Sequence, residues 1–259
     1  MLNQPKELNI NHLSYSFAKN VIKSGVDYAV GLKLGVFEKA MSAAVDVGTM
    51  VHSELLGTEQ NFVVSPYDNY RTKEAREWRD NQTLPIINEA QFEVIAYICE
   101  RIRKHPFANT LLLSEDVEHE VKMTANINDR EWIGYADALK RTDGKIDYIV
   151  DLKTTSQFDD FKYQVGKMCY DVQASVYKTF AQNEDARFYW VIAETVEPYR
   201  IGVAIASVEC EERGYDKLNR VVYQMEEFFN RKGDNDFERL NFDQNLSEDD
   251  VLIIGDWSN

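Results

Sequence analysis

Apolar and polar positions repeat along this chain in two different periods, and the switches between them lay out its elements. Residues 13–23 repeat at helical spacing behind a serine, Ser14 or Ser16, that can cap a helix. Residues 32–56 carry Ala40, Ala43, Ala44, Val47, Val51 and Leu55 on one face and predict a long, interrupted helix. The charged stretch 67–80 predicts a mostly helical segment with Glu74, Glu77 and Arg79 in water. Residues 83–104 predict an amphipathic helix, with Thr83 as cap, Pro85 in the first turn and an isoleucine-rich stripe from Ile86 to Ile102. His105-Pro106 stops it, because the residue before a proline avoids the α region. Residues 107–113 predict a short further helix.

From residue 115 the period becomes two. Val117, His119, Val121 and Met123 alternate with Glu118, Glu120 and Lys122, which predicts a strand with one wet face. Segments 132–140 and 145–153 are aromatic or β-branched, and Thr142-Asp143-Gly144 between them has turn chemistry, so they predict a β-hairpin. Helices are expected over 158–167 and 170–182, paired strands over 187–195 and 199–206 with Glu197-Pro198 in the turn, and a charged closing helix over 208–231. The expected fold is one α/β domain, residues 1–232, with a mixed central sheet flanked by helices. Residues 233–259 are expected to form an acidic C-terminal tail. Its apolar cluster, residues 251–257, reads as a partner-binding peptide or as a segment that folds back on its own or a neighbouring subunit.

Composition narrows the classes. A chain of 259 residues can bury a full core. It has no run of apolar residues long enough to span a membrane, and its N-terminus lacks a basic-then-apolar signal pattern. Cys99, Cys169 and Cys210 are far apart and fit neither a zinc spacing nor a disulfide framework, which favours a reducing cytoplasm. The net charge of −15 argues against a generally basic nucleic-acid binder. Part of that charge is local, because residues 232–259 hold eight acids against two bases. An enzyme that admits duplex only into a narrow channel needs local rather than global positive charge.

Candidate chemistry concentrates in the hairpin. Asp151 and Lys153 are two apart on a strand and share a face. Asp137, on the partner strand, reaches that face if the register permits. Two carboxylates beside one lysine suit Mg²⁺, which takes hard oxygen ligands and completes its shell with water and substrate phosphate. Glu118 or Glu120 can approach the same place, with a solvent-facing strand glutamate as the plainer account.

Asp137 followed by Asp151-Leu152-Lys153 resembles the PD-(D/E)xK nuclease signature. Gly48-Thr49-Met50-Val51-His52 upstream is similar to that superfamily's GTxxH helix, and Gln173 to Tyr177 downstream to its QxxxY helix. This order is that of the RecB-like branch, most similar to the RecE-type and phage-type recombination exonucleases, and Tyr70-Arg71-Thr72-Lys73 continues the likeness. Three cysteines are too few for the iron–sulfur cluster that some members carry.

The resemblance implies a restriction-endonuclease-like core and a metal held by His52, Asp137, Asp151 and the Leu152 carbonyl. Mg²⁺ would be the cofactor, with Mn²⁺ able to substitute. It implies that Lys153 stabilises developing charge, that Gln173 and Tyr177 position the DNA strand, and that Arg71, Lys73 and Thr154 meet DNA. It further implies 5′→3′ resection of double-stranded DNA ends, a single-strand annealing partner, a homo-oligomeric ring, and a phage or prophage origin in a bacterial cytoplasm. Two other readings stand beside it: an acidic regulatory or DNA-mimic protein on an inactive nuclease fold, and a nuclease acting on single strands or flaps.

Overall fold

Five strands form one mixed sheet in the order β3-β4-β5-β6-β7, built from β3 (Val117–Ile127), β4 (Arg130–Thr142), β5 (Lys145–Thr155), β6 (Arg187–Glu194) and β7 (Ile201–Ile205). The computed structural model describes residues 10, 12–36, 47–57 and 61–241. All neighbours in the sheet are antiparallel except β5 and β6, which run parallel. A parallel pair needs a crossover, and α7 (Phe161–Lys167) and α8 (Tyr170–Ala181) supply it. The expected hairpin forms as β4–β5, closed at Thr142↔Lys145 by Asp143 and Gly144, both with positive φ.

Helices cover both faces, as expected for an α/β domain. On one side α1 (Tyr15–Ser24), α2 (Val26–Lys33), α8 and α9 (Val208–Phe229) bury Phe17, Val30, Val172, Leu218 and Phe228 around Trp132, Phe188 and Trp190. On the other, α3 (Val47–Leu56), α5 (Glu89–Lys104) and α6 (Pro106–Leu113) bury Val51, Ile95, Ile98, Ile102 and Leu112 over Val150, Leu152 and Val191. Each such side chain contributes roughly 1.5–3 kcal/mol on leaving water.

Ser14 is the residue that caps α1, its hydroxyl accepting from the Phe17 N–H. The predicted 32–56 helix is interrupted: α2 ends at Lys33, followed by Gly35 in the left-handed region, and α3 is described over Val47–Leu56. Ala40, Ala43 and Ala44 lie outside the described residues. The predicted 83–104 helix starts later, at Glu89, because Asn88 and Gln91 form a capping box. Ile86 and Ile87 instead make a short parallel strand, β2, against β1 (Val63–Val64). Within 67–80 only α4 (Lys73–Asp80) is helical, capped by Thr72.

The packed body also runs past the expected boundary at 232. Asp236 is buried and accepts from the Ile10 N–H at 2.7 Å, while Phe237 and Leu240 pack on the core. Residues 242–259, with the 251–257 cluster, lie outside the described residues.

Candidate functional site

The site forms where β4 and β5 part. Their ladder runs from the turn to Ala138↔Val150. Beyond it the side chain of Asp137 takes the place of a backbone partner, its Oδ2 accepting from the Leu152 N–H at 2.6 Å. On its other flank Asp137 stands beside a break in the alternation of β3 and β4. Val117 packs on the α5–α6 side but Val121 on the α8–α9 side, although residues four apart on a regular strand share a face. Ala138 and Ala136 change sides in the same way. The change falls on Glu120, whose φ of 50° puts a non-glycine residue in the left-handed region. That conformation costs about 1–3 kcal/mol and is typical of functional positions.

The break re-aims two carboxylates. Ligand atoms of His52, Glu120 and Asp137 all lie within 4.8 Å of one another. His52 comes from α3, whose Met50, Val51 and Leu55 are locked against α5. Its Nε2 lies 2.8 Å from the Leu152 carbonyl oxygen, and its Nδ1 lies 3.6 Å from Asp137 Oδ1. With a proton on Nε2 donated to Leu152, the Nδ1 lone pair of a neutral ring faces a carboxylate oxygen. Such a pair of acceptors calls for a cation or a proton between them. Burial first, and then the Asp151 carboxylate, push the Asp137 carboxyl up to about 7. An imidazole and two carboxylates so crowded fit a divalent cation.

Behind this group, Asp151 and Lys153 share the α8 face of β5. Asp151 Oδ1 accepts from Gln173 Nε2 at 2.6 Å, and its Oδ2 lies 2.7 Å from Lys153 Nζ. Burial works against the Lys153 ammonium, yet the charge and hydrogen bond of Asp151, with Asp137 behind, more than offset it and raise its pKa. Lys153 also stands 4.7 Å over the Tyr170 ring. Gln173 Oε1 is buried and has no hydrogen-bond partner among the described residues. Gly48, His52, Glu120, Lys153, Thr154 and Tyr170 are among the residues lining one cleft of about 440 Å³ at this place.

A family model described as a PDDEXK-like domain of unknown function (DUF3799) matches residues 14–234. The chain belongs to this PDDEXK-like family. Among solved structures, that of a candidate exonuclease from Eubacterium rectale is similar with a TM-score of 0.59 at 18% identity, over 84% of this chain and 82% of its own. At that identity the likeness shows a shared fold. The structure of SSO0001 aligns over 74% of this chain and 87% of its own at 16% identity with a TM-score of 0.31. No curated protein matches the chain.

In this PDDEXK-like domain the motif residues make the following contacts. Asp151 is committed to Gln173 and Lys153, and the Leu152 carbonyl to His52, while Glu120 joins His52 and Asp137. The reason is the face of the sheet: Asp151 points at α8, whereas His52 arrives from the opposite side. Tyr177 binds the backbone of β4. Its hydroxyl accepts from the Tyr135 N–H at 3.0 Å and donates to the Tyr135 carbonyl at 2.8 Å, so it props the freed edge of β4 and does not line the cleft. Arg71 and Lys73 are exposed at the start of α4 and outside the cleft lining, with Lys73 paired to Glu77 at 3.6 Å. Sequence reasoning missed Tyr170, although its spacing of three from Gln173 puts both on one face of α8. It also missed Asn61, a cleft-lining residue whose side-chain amide donates to the Thr49 carbonyl at 2.9 Å and which belongs to no motif. No described helix is long and apolar enough to cross a membrane.

Proposed function

We propose that this chain is a divalent-cation-dependent exonuclease acting on the ends of double-stranded DNA. The observation that carries the reading is the convergence of His52, Glu120 and Asp137 on one point beside the Asp151–Lys153 pair. His52, Glu120 and Asp137 would hold the cation, Mg²⁺ with Mn²⁺ able to substitute. When bound there, the cation supplies Lewis-acid activation of water and neutralisation of phosphate charge. Lys153 presents a fixed ammonium in the cleft wall, placed to donate to a phosphate oxygen. Asp151 and the Tyr170 ring hold that ammonium in place, and Gln173 holds Asp151. The proposal extends to 5′→3′ resection feeding a single-strand annealing protein, with a homo-oligomeric ring as the working form.

The net charge of −15 favours a second reading, a DNA-mimic on an inactive fold. One assay separates them. End-labelled linear duplex should shorten with Mg²⁺, survive in EDTA, and be cut while a covalently closed circle is spared. Intact linear duplex across pH and Mg²⁺ or Mn²⁺ screens would leave the mimic.

A further inference from the structure

Beyond Glu120 and Asp137, the β3–β4 ribbon keeps one face on the core through Met123, Trp132 and Ala136 and turns the other outward. On that outer face Tyr135 is 57% exposed and Lys122 is its cross-strand partner. Partners directly opposite on an antiparallel pair have neighbouring side chains on one face, so an aromatic and a lysine side chain leave the sheet side by side. A lone exposed tyrosine is ordinary on a protein surface. Tyr135 differs in how it is held. The Tyr177 hydroxyl engages both its N–H and its carbonyl. The Tyr177 ring fits only because residue 134 is glycine, whose Cβ would fall 2.8 Å from Tyr177 Cζ and the hydroxyl oxygen. The ring of Tyr135 is thus carried on a fixed backbone, two residues, or about 7 Å, from Asp137. Residue 135 also belongs to the lining of a second cleft of about 320 Å³, where His12, Ser14, Ser16 and Lys33 stand alongside tyrosines and no carboxylate appears among the described lining residues.

We infer that Tyr135 is a stacking platform for the nucleobase beside the phosphate presented to His52, Glu120 and Asp137, with Lys122 facing the strand's backbone. The inference rests on the nuclease reading for its substrate. Every base has a π-face, so stacking on tyrosine tolerates any sequence, as an enzyme that advances along DNA requires. The lysine opposite supplies local positive charge that the chain as a whole lacks.

The experiment measures binding of a labelled duplex with a short single-stranded end, in Ca²⁺ to suppress turnover, by fluorescence anisotropy. Tyr135→Ala should bind about 5- to 150-fold more weakly, the range of one lost base stack, and Tyr135→Phe should bind like wild type. A series of the same DNA with a single abasic nucleotide at successive positions should contain one that weakens wild type equally. With that DNA, Tyr135→Ala should bind no worse than wild type. Melting temperature should hardly move, since the side chain is exposed and Tyr177 grips backbone atoms. Lys122→Met should reduce the slope of log affinity against log salt by about one. Equal binding by wild type and Tyr135→Ala, or a loss that no abasic position absorbs, would overturn the inference while leaving cleavage intact. The predicted pattern without any cleavage would uphold the platform and sink the nuclease reading. Wild type that binds no DNA sinks both.

Discussion

Asp137→Asn should make the protein more stable and the site useless, and the structure sets the size of the first effect. Burial and the nearby Asp151 raise the Asp137 carboxyl from 3.8 to about 7. A carboxyl whose folded pKa lies above its unfolded value binds more protons in the native state. Stability therefore falls as pH rises from about 4 to about 7, and it is flat above. Each unit is worth 1.36 kcal/mol, so the ionised group destabilises the fold by about 4 kcal/mol at most. The side chain keeps 15% of its exposure, so water screens part of this, and roughly 2–4 kcal/mol is the working range. Asparagine keeps an acceptor for the Leu152 N–H and drops the charge.

Thermal melts in EDTA test this directly. At pH 8 the variant should melt roughly 4–16 °C above wild type, and near pH 4 the two should coincide. Adding Mn²⁺ or Mg²⁺ at pH 8 should then raise wild type, because a ligand that binds only the native state stabilises it, and should leave Asp137→Asn almost unmoved. If the variant is no more stable than wild type in EDTA at pH 8, the crowded carboxylate cluster is not there. The metal reading of the site would go with it.

Three other substitutions probe the same architecture. His52→Ala should weaken Mn²⁺ binding by at least about tenfold and change the metal-free melting curve little; titration of activity against metal beside that curve decides, and a large stability loss with unaltered metal dependence would make His52 a packing residue. Glu120→Gly should hold or raise stability by about 1 kcal/mol, since φ of 50° suits glycine, while metal affinity falls; calorimetric metal titration and urea melts read the two effects apart. Gly214→Ala should lose roughly 1–3 kcal/mol or more in urea unfolding, because its Cβ would meet the Asp171 carbonyl and Ser175 Oγ at 2.2 Å.

The elements are readable in the sequence wherever one period runs unbroken. The β4–β5 hairpin and the β6–β7 pair match their expected segments to within a few residues, because apolar alternation and the Asp143-Gly144 turn agree there. The start of α5 is misplaced by periodicity because Ile86 and Ile87 fit the helical stripe equally well. Only the Asn88–Gln91 capping box distinguishes the two placements, and it competes with an attractive Thr83-x-Pro85 start. Gly35, just past the end of α2, is a left-handed stop that a run of alanines downstream conceals.

In the site, His52, Asp137, Asp151, Lys153 and Gln173 are marked by their motifs, and the structure brings them together. Glu120 is legible only as one of two strand glutamates. What selects it is a backbone conformation, and no residue type in the sequence marks a left-handed glutamate inside a strand. Tyr177 shows the converse case. Its spacing from Gln173 promises a shared face, and the two do share it, but one ends on β5 and the other on β4.

That divergence explains why the site lies where it does. An antiparallel hairpin that stayed paired past Ala138↔Val150 would consume the Leu152 N–H in its own ladder. Here side chains of α8 bridge the fork between the strands. Gln173 fastens the helix to Asp151 on one branch, and Tyr177 fastens it to Tyr135 on the other. Each freed backbone group finds a side-chain partner, as burial demands: Leu152 N–H on Asp137, Leu152 carbonyl on His52, Tyr135 on Tyr177. α8 is itself held from behind, where Asp171, fully buried, pairs with Arg213 and Lys217 of α9 at 2.7 Å each. The carboxylates are therefore crowded by a frame that gains its stability elsewhere, which is how a fold can keep a charged cluster that destabilises it locally. At pH 8, where a proton is no longer held there, a bound cation would turn this crowding from a liability into binding energy, and the ordering of Asp137→Asn and wild type with and without metal measures that reversal.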